Sequence, residues 1–295
     1  MGFLSAGRAV NQRKISKMKD FILKLIAVII AGTCIGIAVL FGLKIYQQER
    51  MYREGDETYE MIERIAQTPA FDEEVPADRP EPFSFETDHS TPIAVTEEPQ
   101  ALEETIPVSD IDFAALKAIN SDVVAWICCP ETVINYPVVL GGDNEYYLTH
   151  LVDGTENGNG TLFIDWKNSH GFSDENTVIY GHHMQSGKMF ACLVEYADQA
   201  YYDAHPIIYL VTPEAKYKIE LFAGYTTTFD SSAYMLRFSS AHEFAEWLRE
   251  IAQKSDFKAR MSLSTSDRIV TLSTCAYSFY DARYVVHGRL TQVGN

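Results

Sequence analysis

A thiol, an imidazole and a permanent cation stand where strand-like runs of this chain begin or end. The run Thr271-Leu272-Ser273-Thr274 is followed by Cys275, and Arg283, eight residues on, opens the next run. A third run, Thr177-Val178-Ile179-Tyr180, stops just before Gly181-His182-His183. A strand end over a packed sheet holds a side chain rigidly yet leaves it open to substrate. If residues 268–274 and 283–290 pair as a hairpin, Cys275 comes to lie beside Arg283. A guanidinium cannot deprotonate and carries five donors. Beside a thiol it stabilises thiolate, and it can hold the oxyanion formed when that thiolate attacks a carbonyl. A histidine brought across from another strand could deprotonate the thiol and later protonate a leaving amine, an exchange worth about 10²–10⁴-fold.

Each residue also has a plainer explanation. A single strand-end cysteine is commonly a packing residue, and Gly-His-His is commonly a polar loop. Two adjacent histidines, with His205 or His287 as further ligands, raise the question of a metal. Adjacent strand residues point to opposite faces, however, and no HxH or HExxH spacing occurs, so a metal hydrolase is disfavoured and no metal is expected. Of the other cysteines, Cys34 falls in an apolar run, Cys128 and Cys129 are adjacent, and Cys192 sits in a predicted helix. No spacing suggests a disulfide framework or a zinc knuckle, and Cys128, Cys129 and Cys192 read as small buried hydrophobes.

The elements that must position these groups lie between residue 111 and the end, about 185 residues, ample for one core. Strands are expected at 123–127, 133–140, 161–164, 177–180, 207–211, 216–226, 268–274 and 283–290. Short helices are expected at 112–120 and 189–196. The clearest helix opens at Ser240, with Glu243 completing a capping box and Phe244, Trp247, Leu248 and Ile251 forming one apolar face. Many short strands with few helices and no βαβ alternation imply a β-barrel or a β-sandwich.

Residues 21–43 are an apolar run of 23 residues broken by one charge, Lys24. As a helix the run spans roughly 34 Å, enough for a bilayer core of about 30 Å. Arg8, Arg13, Lys14, Lys17 and Lys19 precede it, so residues 1–20 are expected in the cytoplasm and everything after residue 43 outside. A cleaved signal peptide would need a shorter core and a small-residue cleavage site. Ala31-Gly32-Thr33 is a poor approach for lipoprotein processing at Cys34, so an uncleaved single-pass anchor is the reading. Gly32 and Gly36 form a GxxxG pair that offers weak self-association. Residues 44–66 read as a charged juxtamembrane helix with Met51, Tyr59, Ile62 and Ile65 as its apolar positions. Residues 67–109 hold seven of the eleven prolines and eleven acids against the single basic Arg79, which predicts an extended stalk. Residues 1–48 carry seven Lys/Arg and one acid, +6, so the net charge of −17 leaves −23 for the remainder and argues against a nucleic-acid partner.

Leu272-Ser273-Thr274-Cys275 followed by Arg283, with Tyr180-Gly181-His182 upstream, resembles the sortases, membrane-anchored cysteine transpeptidases of Gram-positive surfaces. The likeness extends over the chain from about residue 111. The stretches Asp122-Val123-Val124-Ala125-Trp126-Ile127, Asn135-Tyr136-Pro137-Val138-Val139 and Asp143-Asn144-Glu145-Tyr146-Tyr147-Leu148 are similar to the class B branch, as is the long helix before the penultimate strand. The resemblance implies a closed barrel of about eight strands spanning residues 110–295. It implies Cys275 as nucleophile, His182 as acid/base and Arg283 as the residue that positions substrate and stabilises the oxyanion. Substrate contacts carried over by position are Asn144, Leu148, Tyr180, Thr228, Tyr234 and Ser273, with residues 229–236 longer here than in the family pattern. His183 is expected to face elsewhere. The implied partners are a surface protein bearing an Asn-Pro-x-Thr-like sorting signal and a peptidoglycan precursor or other amine; no cofactor is implied. Competing readings are a pilin-polymerising sortase, another extracellular cysteine hydrolase, or a non-catalytic wall-binding barrel. The S/T-H-G-C run of L,D-transpeptidases is absent.

Overall fold

The computed structural model describes residues 3–67, 110–276 and 281–293, with side chains from Met18 onward apart from Asp20. The chain divides into two compact units, Met1–Glu54 and Gly55–Asn295. Helix α1 runs Phe3–Gln67. Its apolar stretch exposes Phe21, Leu23, Val28, Ile35, Leu40 and Phe41, and it is long and apolar enough to cross a membrane. Beyond Gln67 the expected stalk lies outside the described residues.

In the second unit eight strands close a barrel: β1 (Val123–Cys128), β2 (Asn135–Val139), β3 (Leu162–Ile164), β4 (Asn176–Tyr180), β5 (Ile207–Val211), β6 (Lys216–Thr228), β7 (Arg268–Cys275) and β8 (Ala282–Gln292). Around the barrel the order is β1-β2-β3-β4-β7-β8-β6-β5, closing from β5 to β1. The pairs β2/β3 and β4/β7 are parallel and the others antiparallel. Closure pairs every strand of the barrel on both sides, which leaves the sheet without an open edge. The barrel settles the choice between barrel and sandwich.

Among the described residues three short α-helices accompany the barrel: α2 (Phe113–Ile119), α3 (Gln199–Ala204) and α4 (Ala241–Gln253). On α4, Phe244, Trp247, Leu248 and Ile251 are all buried, against Phe222, Ala223, Tyr225, Ile269 and Val285 of the barrel. Ser240 Oγ accepts from the Glu243 N–H as expected, but the Glu243 carboxylate reaches back to the N–H of Ser239, one residue before the cap. The helix expected at 189–196 is a 3-10 turn at Ala191–Ala197, and α3 follows it after Asp198, whose carboxylate caps α3 by accepting from Ala200 N–H. The strand expected from residue 133 begins at Asn135, because residues 129–134 form a turn closed by Cys129 N–H to Ile134 O.

Helical residues Gly55, Tyr59, Ile62 and Ala66 of α1 are buried. Their spacing of four, three and four places them on one face. That face packs within the second unit: Tyr59 and Tyr136 meet edge to face, and Glu63 accepts from Asn135 Nδ2.

Candidate active site

The parallel pairing of β4 with β7 determines the site. Tyr180 lies opposite Ser273, so His182 and Cys275, each two residues further on, emerge at the same end of the barrel. Antiparallel β8 begins at that end, and its Arg283 lies opposite Cys275. Gly181 continues the β4/β7 ladder by donating its N–H to Ser273 O at 3.0 Å. A Cβ there would collide with the side chains of Leu162 and Phe190, so a larger residue would have to displace them.

A cavity of about 390 Å³ opens at this end. It is lined by Cys275, His182 and Arg283 together with Asn144, Leu148, Tyr180, Tyr234 and Ser273. Eight of the nine residues singled out from the sequence therefore share one cavity. Thr228 does not line it. It stands exposed at the end of β6 and donates its hydroxyl to Asp230 at 2.6 Å, and its neighbour Phe229 lines the cavity instead. Phe163, Gly181 and Thr274 complete the lining.

Hydrogen bonds fix most of these side chains. A carbonyl oxygen only accepts, so His182 Nε2 carries a proton and donates it to Leu148 O at 2.7 Å. Tyr234 and Ser273 share a hydroxyl–hydroxyl bond of 2.8 Å, and the Tyr234 and Tyr180 rings stack with centroids 6.0 Å apart. Burial pushes the Tyr234 phenol up, with the Arg283 cation pulling the other way. Burial does the same to Tyr180, reinforced by Asp165. Both therefore present neutral hydroxyls at neutral pH.

Two residues that sequence reasoning passed over hold this arrangement from behind. The Asp165 carboxylate accepts from Tyr180 Oη and from Asn144 Nδ2, each at 3.0 Å, while Asn144 Oδ1 accepts from the Trp166 N–H. His183 points away from the cavity lining, but its Nδ1–H donates to the carbonyl of Cys275 itself at 2.9 Å. The same peptide's other end is held by Ala276 N–H to Ala282 O at 2.8 Å. The strand end carrying the thiol is thus pinned on both sides. The barrel's other three thiols, Cys128, Cys129 and Cys192, behave as packing residues. Burial pushes Cys128 and Cys192 up to about 11 and raises Cys129 too, so none is available as thiolate. Among the described residues no group of His, Cys, Asp or Glu is placed to hold a metal.

A barrel with cysteine, histidine and arginine gathered at one end describes a cysteine acyl-transfer enzyme. A sortase domain model matches residues 127–291. Sortase B of Listeria monocytogenes is 36% identical over 177 residues, covering 59% of this chain and 72% of the relative. Sortase B of Staphylococcus aureus is 34% identical over 183 residues, covering 61% and 75%. A solved Staphylococcus aureus sortase B–substrate complex superposes with a TM-score of 0.59 at 34% identity, over 62% of this chain and 85% of that one. The chain belongs to the sortase family, in its class B branch, and is a cysteine transpeptidase.

Proposed function

We propose that Cys275 is the nucleophile, His182 the acid/base and Arg283 the oxyanion-stabilising residue of a transpeptidase acting on an Asn-Pro-x-Thr-like sorting signal. The observation that supports this is the convergence of all three on one cavity through the β4/β7 and β7/β8 registers. Cys275 passes its thiol proton to His182 and its sulfur attacks the threonine carbonyl carbon as thiolate, and the oxyanion is met by the Arg283 guanidinium. The C–N bond then breaks, and His182 delivers a proton to the departing amine, leaving a thioacyl enzyme. An amine of a peptidoglycan precursor attacks that thioester, losing its proton to His182, and the thiolate departs as the new amide forms. Because Nε2–H is engaged with Leu148 O, Nδ1 is the nitrogen that takes and returns the proton.

Asn144, Leu148, Tyr180, Tyr234 and Ser273 contact the sorting signal in this reading. The stacked Tyr180 and Tyr234 rings offer an apolar wall, and the polar groups of Asn144 and Ser273 fix orientation. The helix over residues 21–43 anchors the enzyme in the cell membrane, with the basic N-terminus in the cytoplasm and the barrel outside.

The test is mass spectrometry of Asn-Pro-x-Thr peptides incubated with the enzyme, with and without an amine acceptor. Cleavage after threonine, an acyl adduct on Cys275 and an amide product are expected. Cys275→Ala, His182→Ala and Arg283→Ala should each abolish turnover; full activity in any of them would overturn the assignment.

A further inference from the structure

His182 is held from a loop that leads back, through backbone contacts, to the helix α1. Its Nε2–H bonds to the carbonyl of Leu148, at the end of the 3-10 turn Tyr146–Leu148. Alongside the ring lies Gly160, with φ of +61°. A Cβ there would sit 3.0 Å from His182 Cδ2, 3.0 Å from Leu148 O and 2.6 Å from Tyr147 O, so the glycine backbone packs directly against both the imidazole edge and its acceptor. The turn containing Gly160 is closed by Gly160 N–H to Asn157 O, and it is joined to residues 147–149 by Thr161 N–H to Tyr147 O and Asn157 N–H to Thr149 O.

The carbonyl of Gly160 in turn accepts from the hydroxyl of Tyr59 at 2.5 Å, and the same phenol lies 3.0 Å from Thr161 Oγ1. Tyr59 belongs to α1, 101 residues away in sequence, and is only 8% exposed. It is flanked on its face by buried Gly55, Ile62 and Ala66, so the phenol has a fixed base.

We infer that Tyr59 is a positioning residue for His182, acting through the Gly160 peptide, and that the helical stretch 55–66 is part of the active-site scaffold. The part of α1 that packs within the second unit thereby sets where the imidazole stands. The inference rests on His182 being the acid/base. A shift of about 1 Å in a catalytic group can cost as much as 100-fold in rate. Loss of one neutral hydrogen bond lets the Gly160 turn relax by part of that.

The experiment uses the full chain in detergent micelles, with steady-state kinetics on the Asn-Pro-x-Thr peptide and an amine acceptor, and ¹⁵N-histidine spectra to read the His182 tautomer. Tyr59→Phe keeps the ring and removes the hydroxyl; Ile208→Val trims a fully buried side chain of β5, which pairs with β1 and β6 and not with β4 or β7. Tyr59→Phe should lower kcat about fivefold to tenfold with KM within twofold, and should reduce the share of Nε2–H tautomer at His182. Ile208→Val should leave kcat, KM and the tautomer unchanged even as its unfolding midpoint falls. Wild-type kcat in Tyr59→Phe, or an equal loss of kcat in Ile208→Val, overturns the inference. If His182→Ala is itself fully active, the acid/base assignment fails instead, and the two failures are told apart.

Discussion

Replacing Thr271 with valine isolates a buried relay that sets the wall of the active-site cavity. Thr271, Asn176 and His287 are all fully buried. Thr271 Oγ1 donates to Asn176 Oδ1 at 2.7 Å, which commits its only proton. His287 Nδ1, 2.8 Å from the same oxygen, must therefore be the donor, and Nε2 is left to accept from Tyr225 Oη at 3.3 Å. The far end of the relay is the Asn176 amide, which donates to the carbonyls of Ala233 and Met235, on either side of Tyr234. One directed chain of bonds thus runs from Tyr225 to the backbone that presents Tyr234 to the cavity. Thr271→Val preserves shape and strands two groups, Asn176 Oδ1 and His287 Nδ1–H. At about 1–3 kcal/mol for each buried unsatisfied group, the cost is about 2–6 kcal/mol, a large part of the ~5–15 kcal/mol typical of a domain. His287→Leu strands only the Tyr225 hydroxyl, about 1–3 kcal/mol. The double variant strands two groups, not three, so it should be less destabilised than the sum of the singles by about 1–3 kcal/mol. Urea unfolding of residues 55–295, followed by fluorescence of Trp126, Trp166 and Trp247, measures all three. A Thr271→Val cost under about 0.5 kcal/mol, or a cycle additive to within about 0.5 kcal/mol, would refute the directed relay.

Acid should destabilise the fold through the same histidine. Burial, with a smaller push from the Lys254 ammonium, depresses His287 to about 3 from its ordinary 6.5. The unfolded chain then binds a proton that the folded chain refuses. Its effect is absent above about pH 6.5, and stability falls as pH drops from there toward 3, by about 2 kcal/mol at pH 5. His287→Leu should flatten that part of a stability-versus-pH curve measured by urea titration; an unchanged slope refutes the assignment. At the strand end carrying the thiol, His183→Ala should lower kcat severalfold, since the lost bond to Cys275 O is worth about 1 kcal/mol. His183→Asn, whose amide N–H₂ can take the place of Nδ1–H, should recover most of it, and equal losses in the two variants would count against a positioning role.

Which parts of this site were legible in the sequence follows from how far apart its members lie in the chain. The hairpin that sets Arg283 opposite Cys275 is local, and the spacing of two strand-like runs suffices to anticipate it. The parallel pairing of β4 with β7 joins strands about ninety residues apart, and nothing in their composition specifies the register that brings His182 level with Cys275. Only the family resemblance supplied that neighbour. Asp165 left no signal at all, because its role depends on Asn144 and Tyr180, which reach it from two other places in the chain. The docked face of α1 is the more instructive miss. An eye for apolar residues picks Met51, Tyr59, Ile62 and Ile65, yet Met51 and Ile65 are only partly buried and the fully buried face alternates Tyr59 and Ile62 with Gly55 and Ala66. The two small residues let the helix backbone come close enough for the Tyr59 hydroxyl to reach Gly160 O. Hydrophobicity alone does not mark them. A helix that buries glycine and alanine at its points of closest approach is being read for shape, and shape is what a single sequence records least.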